Sequence, residues 1–501
     1  MKTLFYLTGV VCGTWAIAHV NAARADAADD RPNIVWIFVD DMSAHFSCYG
    51  ETLIETPHVD GLAREGTRFT RAFVTAPVCS PCRSALITGC YQTTIGAHHH
   101  RSGRGALKIH LPDGVVPVPV LFQQAGYYTC NGGALGGERV RPGKTDYNFE
   151  WDRAMYDGAD WSRRAPDQPF FMQVQLHGGK HRGGDVGPND AWAKQVRQTF
   201  GAPTRPDDVT LPEYYPRDSV LLADWARYLD TVRYTDKEVG DVVERLRREG
   251  LLDKTVVFFL TDHGISHARG KQFLYDEGIH VPLVIRGPGI AAEQVRDDLV
   301  MHIDLAPTSL ALAGIDVPDW MQGRNILAAD YKPREAIFAA RDRCDETVEH
   351  LRAVRTADTK YIRNYLPQRP HLQPNRYKDG KAIIRRLRAL HASGELEPVT
   401  QRLLFAPTRP AEELYDLTAD PQELTNLSDD PAYREELEAM RGRLNAWEAE
   451  TDDQGRTPEP EAMYDSDMAV YRGGKRRANN ARRRELDENI AQMKRWASEG
   501  K

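Results

Sequence analysis

A cysteine and an arginine lie about one helical turn apart in the sequence Cys79-Ser-Pro-Cys-Arg83. Pro81 fits the first turn of a helix, Ser80 can cap that helix and Gly89 can end it. Cys79 therefore lies just ahead of a predicted helix N-terminus, where unpaired N–H groups and the helix dipole favour an anion. Arg83 supplies a planar guanidinium that suits an oxyanion. The pattern predicts nucleophilic chemistry on an anionic substrate, and the alternative is a buried cysteine before an ordinary helix.

Acidic residues come after two apolar, β-rich runs: Asp40-Asp41 directly follows Asn33–Val39, and Thr261-Asp262-His263 follows residues 255–260. Such runs predict buried strands of a parallel sheet, and open α/β sheets carry their sites at the carboxyl ends of strands. Adjacent carboxylates repel each other unless a cation lies between them, and hard divalent ions prefer oxygen ligands. These residues predict a metal site. Taken alone, the Asp-Asp pair also fits a helix-capping loop.

The motif from Cys79 through Arg83-Ser-Ala-Leu-Ile-Thr to Gly89 resembles the signature of the type I sulfatases, in the alkaline phosphatase superfamily. In that family the cysteine is oxidised to Cα-formylglycine, whose hydrate is the nucleophile. The resemblance covers about residues 32–428 and implies an α/β fold. A large, mostly parallel mixed sheet between helices would be followed by a smaller C-terminal antiparallel sheet. The implied metal ligands are Asp40, Asp41, Asp262, His263 and an oxygen of the modified residue 79.

Two lysines and Arg83 are predicted to bind the anion. Lys144 opens the run Lys-Thr-Asp-Tyr-Asn-Phe, which resembles a subgroup near the heparan-sulfate sulfatases and sulfamidases. Lys271 follows the second metal strand, where the family has a lysine that reaches the sulfate group. Both lysines would hold sulfate oxygens, and Arg83 would hold the aldehyde hydrate. As an isolated residue, Lys144 also fits a solvated loop.

Histidines are the candidates for proton transfer. Many sulfatases have Gly-Lys-Trp-His before the site, and this chain lacks that histidine. We therefore predict that one of three consecutive histidines, His98 ahead of its neighbours His99 and His100, acts as an acid or base near the nucleophile. In the family, a strand that opens with Pro-Phe-Phe leads to a histidine that protonates the leaving alcohol. His181 fits that spacing to within one residue, and His177 is the alternative.

Composition limits the class of protein. The 501 residues suffice for more than one domain, and 41 % hydrophobic with 27 % charged residues is typical of a soluble globular protein. The net charge of −7 gives no reason to expect a nucleic-acid partner. Lys2, the apolar run 4–18 and the small residues that follow predict a signal peptide, and hence a secreted or periplasmic protein without a stable membrane span. An uncleaved anchor is the alternative.

We predict four segments: a signal peptide (1–22), a catalytic sulfatase domain (31–332), a small C-terminal α+β domain (333–455) and a basic tail (456–501). Short alternating strands after about residue 332 favour the small antiparallel sheet. The tail has seven Lys or Arg between Arg472 and Arg484. We expect this tail to be solvated, and contact with an anionic glycan is the alternative.

The predicted function is hydrolysis of O- or N-linked sulfate in a sulfated polysaccharide or its oligosaccharides. The predicted cofactors are a divalent metal, Ca²⁺ ahead of Mg²⁺, and formylglycine made from Cys79 by a formylglycine-generating enzyme. One alternative is a phosphate or phosphonate ester hydrolase of the same superfamily, which the Asp-His-Gly sequence at 262–264 favours. Another is a non-catalytic glycan-binding relative in which Cys79 stays a thiol. The imidazole of His263 would also suit a transition metal.

Overall fold

A computed structural model of the chain describes residues 31–133, 140–184, 190–473 and 480–501. The predicted signal peptide lies outside the described residues. The strands of the central sheet are β1 (Asn33–Val39), β2 (Thr67–Phe73), β3 (Tyr128–Gly132), β4 (Phe170–Leu176), β5 (Thr255–Thr261), β6 (His280–Arg286), β7 (Gln294–Arg296) and β8 (Val300–Met301). They follow the order β3-β4-β1-β5-β6-β2-β7, with β8 paired to β2.

The middle of this sheet is parallel and buried on both faces. β3, β4, β1 and β5 run parallel to one another, whereas β6 is antiparallel to β5 and β2. Every residue of β1, β4 and β5 is buried, as expected for mainly apolar inner strands of a parallel sheet that is covered on both faces. Val39 pairs with Leu176 on one side and with Thr261 on the other. The three strands therefore end level with one another, and the residues that follow them meet at one edge.

The helices of the described residues are α1 (Pro57–Arg64), α2 (Cys79–Thr88), α3 (Val118–Gln124), α4 (Ala191–Phe200), α5 (Ser219–Arg248), α6 (Asp276–Ile279), α7 (Leu305–Leu312), α8 (Arg376–Asp379), α9 (Ala382–Ser393), α10 (Pro398–Phe405), α11 (Arg434–Glu450), α12 (Glu461–Gly473) and α13 (Asn480–Ser498). The longest, α5, begins where the Asp218 carboxylate accepts a hydrogen bond from the Val220 N–H. Its apolar residues recur at helical spacing and face the core.

A second sheet of four antiparallel strands follows in the described chain: β9 (Ile337–Arg341), β10 (Leu351–Arg355), β11 (Thr359–Asn364) and β12 (Glu412–Asp416). One continuous cluster of buried apolar side chains includes Ile34 of the central sheet, Val354 of the second sheet and Trp447 of α11. The two sheets therefore share a core. The predicted fold class is confirmed, and the predicted domain boundaries at 332 and 455 stay predictions.

The expected solvated tail is wrong for much of its length. Residues 461–473 and 480–498 form helices α12 and α13, which bury a small apolar cluster of their own around Met468 and Ile490. Apolar residues three or four positions apart, such as Leu486, Ile490 and Met493, make one face of α13 apolar. The many basic residues obscured this face in the sequence.

Two further observations concern the described residues. None of their helices combines the length and apolar character that crossing a bilayer requires. Their six cysteines, which include Cys79 and Cys344, are all free thiols.

Candidate active site

The predicted metal ligands lie at the sheet edge where β1 and β5 end in register. The Asp262 N–H donates to the Val39 carbonyl (2.8 Å), and the Asp41 N–H donates to Asp262 Oδ1 (3.0 Å). Asp41 has a φ of +55°, a left-handed conformation that few aspartates adopt. This strained backbone turns the Asp41 carboxylate toward the carboxyl end of β5, and such strain often accompanies functional sites. Asp41, Asp262 and His263 are each fully buried.

Cys79 is the first residue of α2, and the whole helix is buried. Val78 occupies the N-cap, and Gly89 ends the helix with a φ of +69°. The prediction that Ser80 caps the helix is wrong, because the helix begins earlier and the Ser80 hydroxyl instead accepts a hydrogen bond from the Arg101 N–H (2.8 Å). The thiol of Cys79 still lies at a helix N-terminus, which favours negative charge there.

Three cationic or basic side chains surround the Cys79 sulfur. Its distances are 3.1 Å to Lys271 Nζ, 3.2 Å to His263 Nε2 and 3.8 Å to Lys180 Nζ. Burial disfavours the thiolate, but these neighbours and Lys144 hold the pKa of the Cys79 thiol well below its usual range. The position of residue 79 therefore stabilises a negatively charged group.

One donor atom from each of Asp41, Cys79, Asp262 and His263 lies within 4.8 Å of the other three. Ligands on opposite sides of a Ca²⁺ ion are about 5 Å apart, twice the bond length of about 2.5 Å. His263 Nδ1 lies 2.9 Å from the Gly264 carbonyl oxygen, which leaves Nε2 available as a ligand. Burial, and the charges of Asp40 and Cys79, raise the pKa of Asp262 to about 7. This donor set fits a divalent cation.

Asp40 lies beside this group and is surrounded by cations. Arg83 Nη2 donates to its carboxylate, Lys144 Nζ lies 3.1 Å from both of its oxygens, and Lys180 Nζ lies 2.5 Å from Oδ2. Arg83 also donates to Gln175 Oε1 (2.6 Å). The structure therefore brings Arg83 and Lys144 to the site as the sequence predicts, with Asp40 as their common partner. The predicted role of Asp40 as a metal ligand stays a prediction.

Lys180 is a site residue that the sequence reasoning missed. It is the fourth residue after β4, and the chain reaches it by crossing directly over the backbone of the two residues that follow β1. A Cβ on Gly178 would lie 2.2 Å from the Asp40 carbonyl oxygen, and one on Gly179 would lie 2.2 Å from that of Asp41. Only glycine fits both positions. The pair Gly178-Gly179 directly after a buried strand was the available signal for this close approach.

His181 and His177 lie away from the cysteine. The His181 ring stacks on Trp192, with ring centres 5.5 Å apart, and its Nε2 lies 3.5 Å from Glu238 Oε2. His177 is exposed, and its ring contacts that of His181. The tight turn after Gly178-Gly179 directs Lys180 toward Asp40 and the next residue outward. The geometry therefore places Lys180, and not His181, beside Asp40.

His98 is buried among the C-terminal residues. Burial, and the nearby Arg352, lower the pKa of His98 to about 3, so that its imidazole is neutral. The histidine of this run that lies close to Cys79 is His100. Donor atoms of His100, Cys79 and Asp146 lie within 4.8 Å of one another. The choice of His98 within the histidine run is not supported by this geometry, because its ring turns toward the second sheet.

An aspartate orients His100. His100 Nδ1 lies 3.0 Å from Asp345 Oδ1, and within the described residues His100 Nε2 makes no hydrogen bond. Burial disfavours the imidazolium, but Cys344 and the Asp345 carboxylate raise the pKa of His100 to about 10. A buried aspartate on one ring nitrogen, with no hydrogen bond on the other, is the arrangement of an oriented acid or base.

The C-terminal part contributes Tyr377 to the site. Its hydroxyl donates to Asp41 Oδ2 (2.8 Å), and its ring lies 4.7 Å from Lys271 Nζ. No motif marked this tyrosine, because it lies 336 positions from Asp41 in the sequence. The site opens into a cavity of about 1370 Å³, and its lining includes Cys79, His100 and Lys271.

A sequence model of the family described as Sulfatase matches residues 32–315, which is more than half of the chain. The chain belongs to the sulfatase family. A second model, described as the C-terminal part of N-sulphoglucosamine sulphohydrolase, matches residues 263–373. Both matched ranges include His263, and the first also includes Asp262 and Cys79. The resemblance that the cysteine motif indicated is therefore confirmed.

Relatives of this sulfatase carry names that concern sulfated saccharides. An ulvan-active sulfatase of Formosa agariphila is 32 % identical over 87 % of this chain and 77 % of its own length. The N-sulphoglucosamine sulphohydrolase of Homo sapiens is 28 % identical over 84 % of this chain and 91 % of its own length. A phosphonate monoester hydrolase from Silicibacter pomeroyi has a similar structure, with a TM-score of 0.57, 17 % identity, and coverage of 84 % and 96 % of the two chains. The fold alone therefore does not distinguish a sulfatase from a phosphonate monoester hydrolase.

Proposed function

We propose that this sulfatase hydrolyses sulfate groups of a sulfated polysaccharide or its oligosaccharides through a formylglycine made from Cys79. The observation that carries the proposal is the position of Cys79. Its side chain lies at a buried helix N-terminus, within 3.8 Å of Lys180, His263 and Lys271, at a cavity large enough for a saccharide. These are the surroundings that an attacking group needs against a sulfate anion.

Two groups would complete the chemistry. A formylglycine-generating enzyme would convert Cys79, and the hydrated aldehyde would supply the attacking hydroxyl. Asp41, Asp262, His263 and residue 79 would hold a divalent cation, which neutralises charge and polarises a sulfate oxygen. Tyr377 would hold the Asp41 carboxylate in place through its hydrogen bond to Oδ2.

The lysines would hold the sulfate, not move protons. Burial favours neutral lysines, but Asp40 and Asp41 raise the pKa of Lys180 well above its usual range, and Asp41 does the same for Lys271. Both ammonium groups therefore stay charged. Lys144 would add a third cation, and Arg83 would hold the group formed from residue 79. Point charges in fixed positions stabilise an anion most where burial excludes water.

His100 would protonate the leaving alcohol or amine. Its Nε2 is the ring nitrogen left open, and Asp345 fixes the ring through Nδ1. The raised pKa of His100 keeps a proton on the imidazole at neutral pH. The second hydroxyl of the hydrate would then lose its proton, and expulsion of sulfate would restore the aldehyde. An unmodified thiol could not perform this step.

The test compares ester classes with the same leaving group. The protein, produced together with a formylglycine-generating enzyme, is expected to hydrolyse 4-nitrophenyl sulfate with a higher kcat/KM than 4-nitrophenyl phosphate. The names of the relatives favour sulfated saccharides, so release of sulfate from N-sulfoglucosamine and from ulvan fragments is measured next. A preference for the phosphate would support the phosphoester alternative. Saccharide binding without any turnover by modified protein would support the non-catalytic alternative.

The proposed metal is Ca²⁺, because two carboxylates and a formylglycine oxygen form a mainly oxygen donor set. Added at about 100 times its Kd, the ion is expected to stabilise the chelator-treated protein by about 2.7 kcal/mol, measured as a higher midpoint of thermal unfolding. Asp262→Asn should remove this effect, and Asp241→Asn, an exposed residue on α5, should retain it. Stabilisation by Mg²⁺ or Zn²⁺ alone would contradict the choice of Ca²⁺. Asp40→Asn tests the fifth predicted ligand.

Export is also part of the proposal. It rests on the pattern of residues 1–22, a lysine followed by an apolar run and small residues. The first residue of the mature protein tests it. A chain that keeps residues 1–22 would contradict cleavage.

A further inference from the structure

The terminal helix pair, α12 and α13, is fixed firmly to the rest of the molecule. Arg343 Nη2 lies 2.6 Å from the Asp467 carboxylate, and both side chains are fully buried. The Tyr464 hydroxyl donates to the Glu346 carbonyl (2.9 Å), and Asn489 Nδ2 donates to Glu346 Oε1 (2.8 Å). Buried ion pairs and hydrogen bonds of this kind hold one geometry. The helix pair is therefore a built element of the molecule.

This helix pair reaches the candidate active site. The Tyr471 hydroxyl donates to Asp345 Oδ1 (2.8 Å), the same oxygen that lies 3.0 Å from His100 Nδ1. The cavity that contains Cys79 is lined on this side by residues of both helices, Arg472 and Arg483 among them. The helix pair lies beyond residues 32–373, which the two family models match between them. It lies outside the part of the chain that the two family models match, and it shapes the cleft.

The cleft is strongly basic beyond the reacting group. Nine of its lining residues are Lys or Arg, against three Asp or Glu. Lys180 and Lys271 contact Cys79 and belong to the reaction centre. Arg472 and Arg483 are exposed side chains on the helix pair. Arg472 Nε pairs with Asp487 at 2.7 Å, and because both side chains are about half exposed this pair adds little stability and can exchange for another anion.

The size of the cleft agrees with an extended ligand. Pockets for drug-sized molecules measure about 300–1000 Å³, and this cavity measures about 1370 Å³. One sulfated sugar would leave part of it unfilled. A guanidinium binds sulfate or carboxylate through two parallel hydrogen bonds. The unfilled part would therefore accept a second anionic group.

We propose that the terminal helix pair forms a second anion-binding wall, on which Arg472 and Arg483 bind a sulfate or carboxylate of a neighbouring sugar. The inference rests on the proposed function, since it assumes that the saccharide's first sulfate lies at residue 79. It makes the preferred ligand an oligosaccharide with several anionic groups. The matched core provides the reaction centre, and the helix pair provides selectivity for the longer polyanion.

Binding to the full-length Cys79→Ala protein tests this inference without requiring turnover. The probes are a heparin-derived tetrasaccharide and the monosaccharide N-sulfoglucosamine, titrated by calorimetry at one fixed ionic strength. In the Cys79→Ala background, the added double substitution Arg472→Gln/Arg483→Gln is expected to weaken tetrasaccharide binding roughly tenfold or more. The affinity for the monosaccharide, which has a single anionic group, should change much less.

A matched control separates a local effect from the loss of total charge. Arg484→Gln/Arg495→Gln removes the same two charges from exposed positions of α13 that do not line the cleft. This control should bind the tetrasaccharide as the parent protein does. Three results would each overturn the inference: no tetrasaccharide binding by the parent, unchanged affinity in the cleft variant, or an equal loss in the control. If the inference holds while wild-type protein hydrolyses no sulfate ester, only the proposed activity fails.

To separate sulfate from carboxylate, the titration is repeated with a tetrasaccharide that has its carboxylates reduced. Retained discrimination between the two double variants assigns the wall to sulfate. If the two double variants no longer differ in affinity, the wall is assigned to carboxylate. Either result identifies the group that the arginines bind.

Discussion

Replacing Cys79 with alanine is expected to lower kcat for sulfate-ester hydrolysis on the order of 10⁴-fold or more, because it removes the precursor of the attacking group. The substitution removes one sulfur atom from a fully packed helix end, and the residues around it remain in place. Hydrolysis of 4-nitrophenyl sulfate measures the effect. Mass spectrometry of the peptide containing residue 79 should show a lighter residue than cysteine in the active parent, since oxygen replaces sulfur in formylglycine.

Cys82→Ala is the matched control for that experiment. Cys82 is fully buried on the same helix, and burial together with Asp262 raises the pKa of its thiol, so that it stays protonated. The control should therefore keep most of the activity. Full activity in Cys79→Ala, or an unmodified thiol at residue 79 in active protein, would contradict the proposed nucleophile.

Replacing His100 with glutamine is expected to lower kcat for a saccharide sulfate by about 10²- to 10⁴-fold, the usual contribution of a positioned acid. The loss should be much smaller with 4-nitrophenyl sulfate, because nitrophenolate leaves without needing a proton. This dependence on the leaving group is the decisive measurement, since a purely structural role of His100 would lower both rates equally. Glutamine keeps a polar group of similar size beside Asp345.

His98→Gln is the control in this case. His98 is also a buried member of the histidine run, but its low pKa leaves it neutral, and its neighbours are residues of the C-terminal part. The variant is expected to change both substrates to a similar, smaller extent. A selective loss on the saccharide in His98→Gln, with none in His100→Gln, would restore the assignment that the sequence suggested.

The sequence predicted the framework of the site because strand ends are local features. Apolar runs that end in Asp40-Asp41 and Asp262-His263 indicated buried parallel strands, and equal register then placed these residues at one edge. The position of Cys79 followed from Pro81 and Gly89 in the same short helix. In each case the relevant information lay within about ten residues.

The positions of His100 and Lys180 could not be predicted in the same way. Three adjacent histidines carry no local signal about which ring faces Cys79. That choice depends on Asp345, which contacts His100 from 245 positions away. For Lys180, a shift of one residue in the turn after β4 decides whether a lysine or His181 faces Asp40. Such choices are made by tertiary packing, which a single sequence does not display.

The hydrogen bond between Tyr377 and Asp41 joins two parts of the chain that are synthesised at different times. During synthesis the N-terminal part emerges first, and Asp41 and Cys79 are made long before Tyr377 and Tyr471. The nascent chain therefore has the signature cysteine before the residues that enclose it. Cys79 is 2 % exposed in the finished fold. Under the proposed maturation, a modifying enzyme would have its best access to residue 79 in that interval. The distant origin of Tyr377 and of the terminal helix pair would then let the modification precede closure of the cleft.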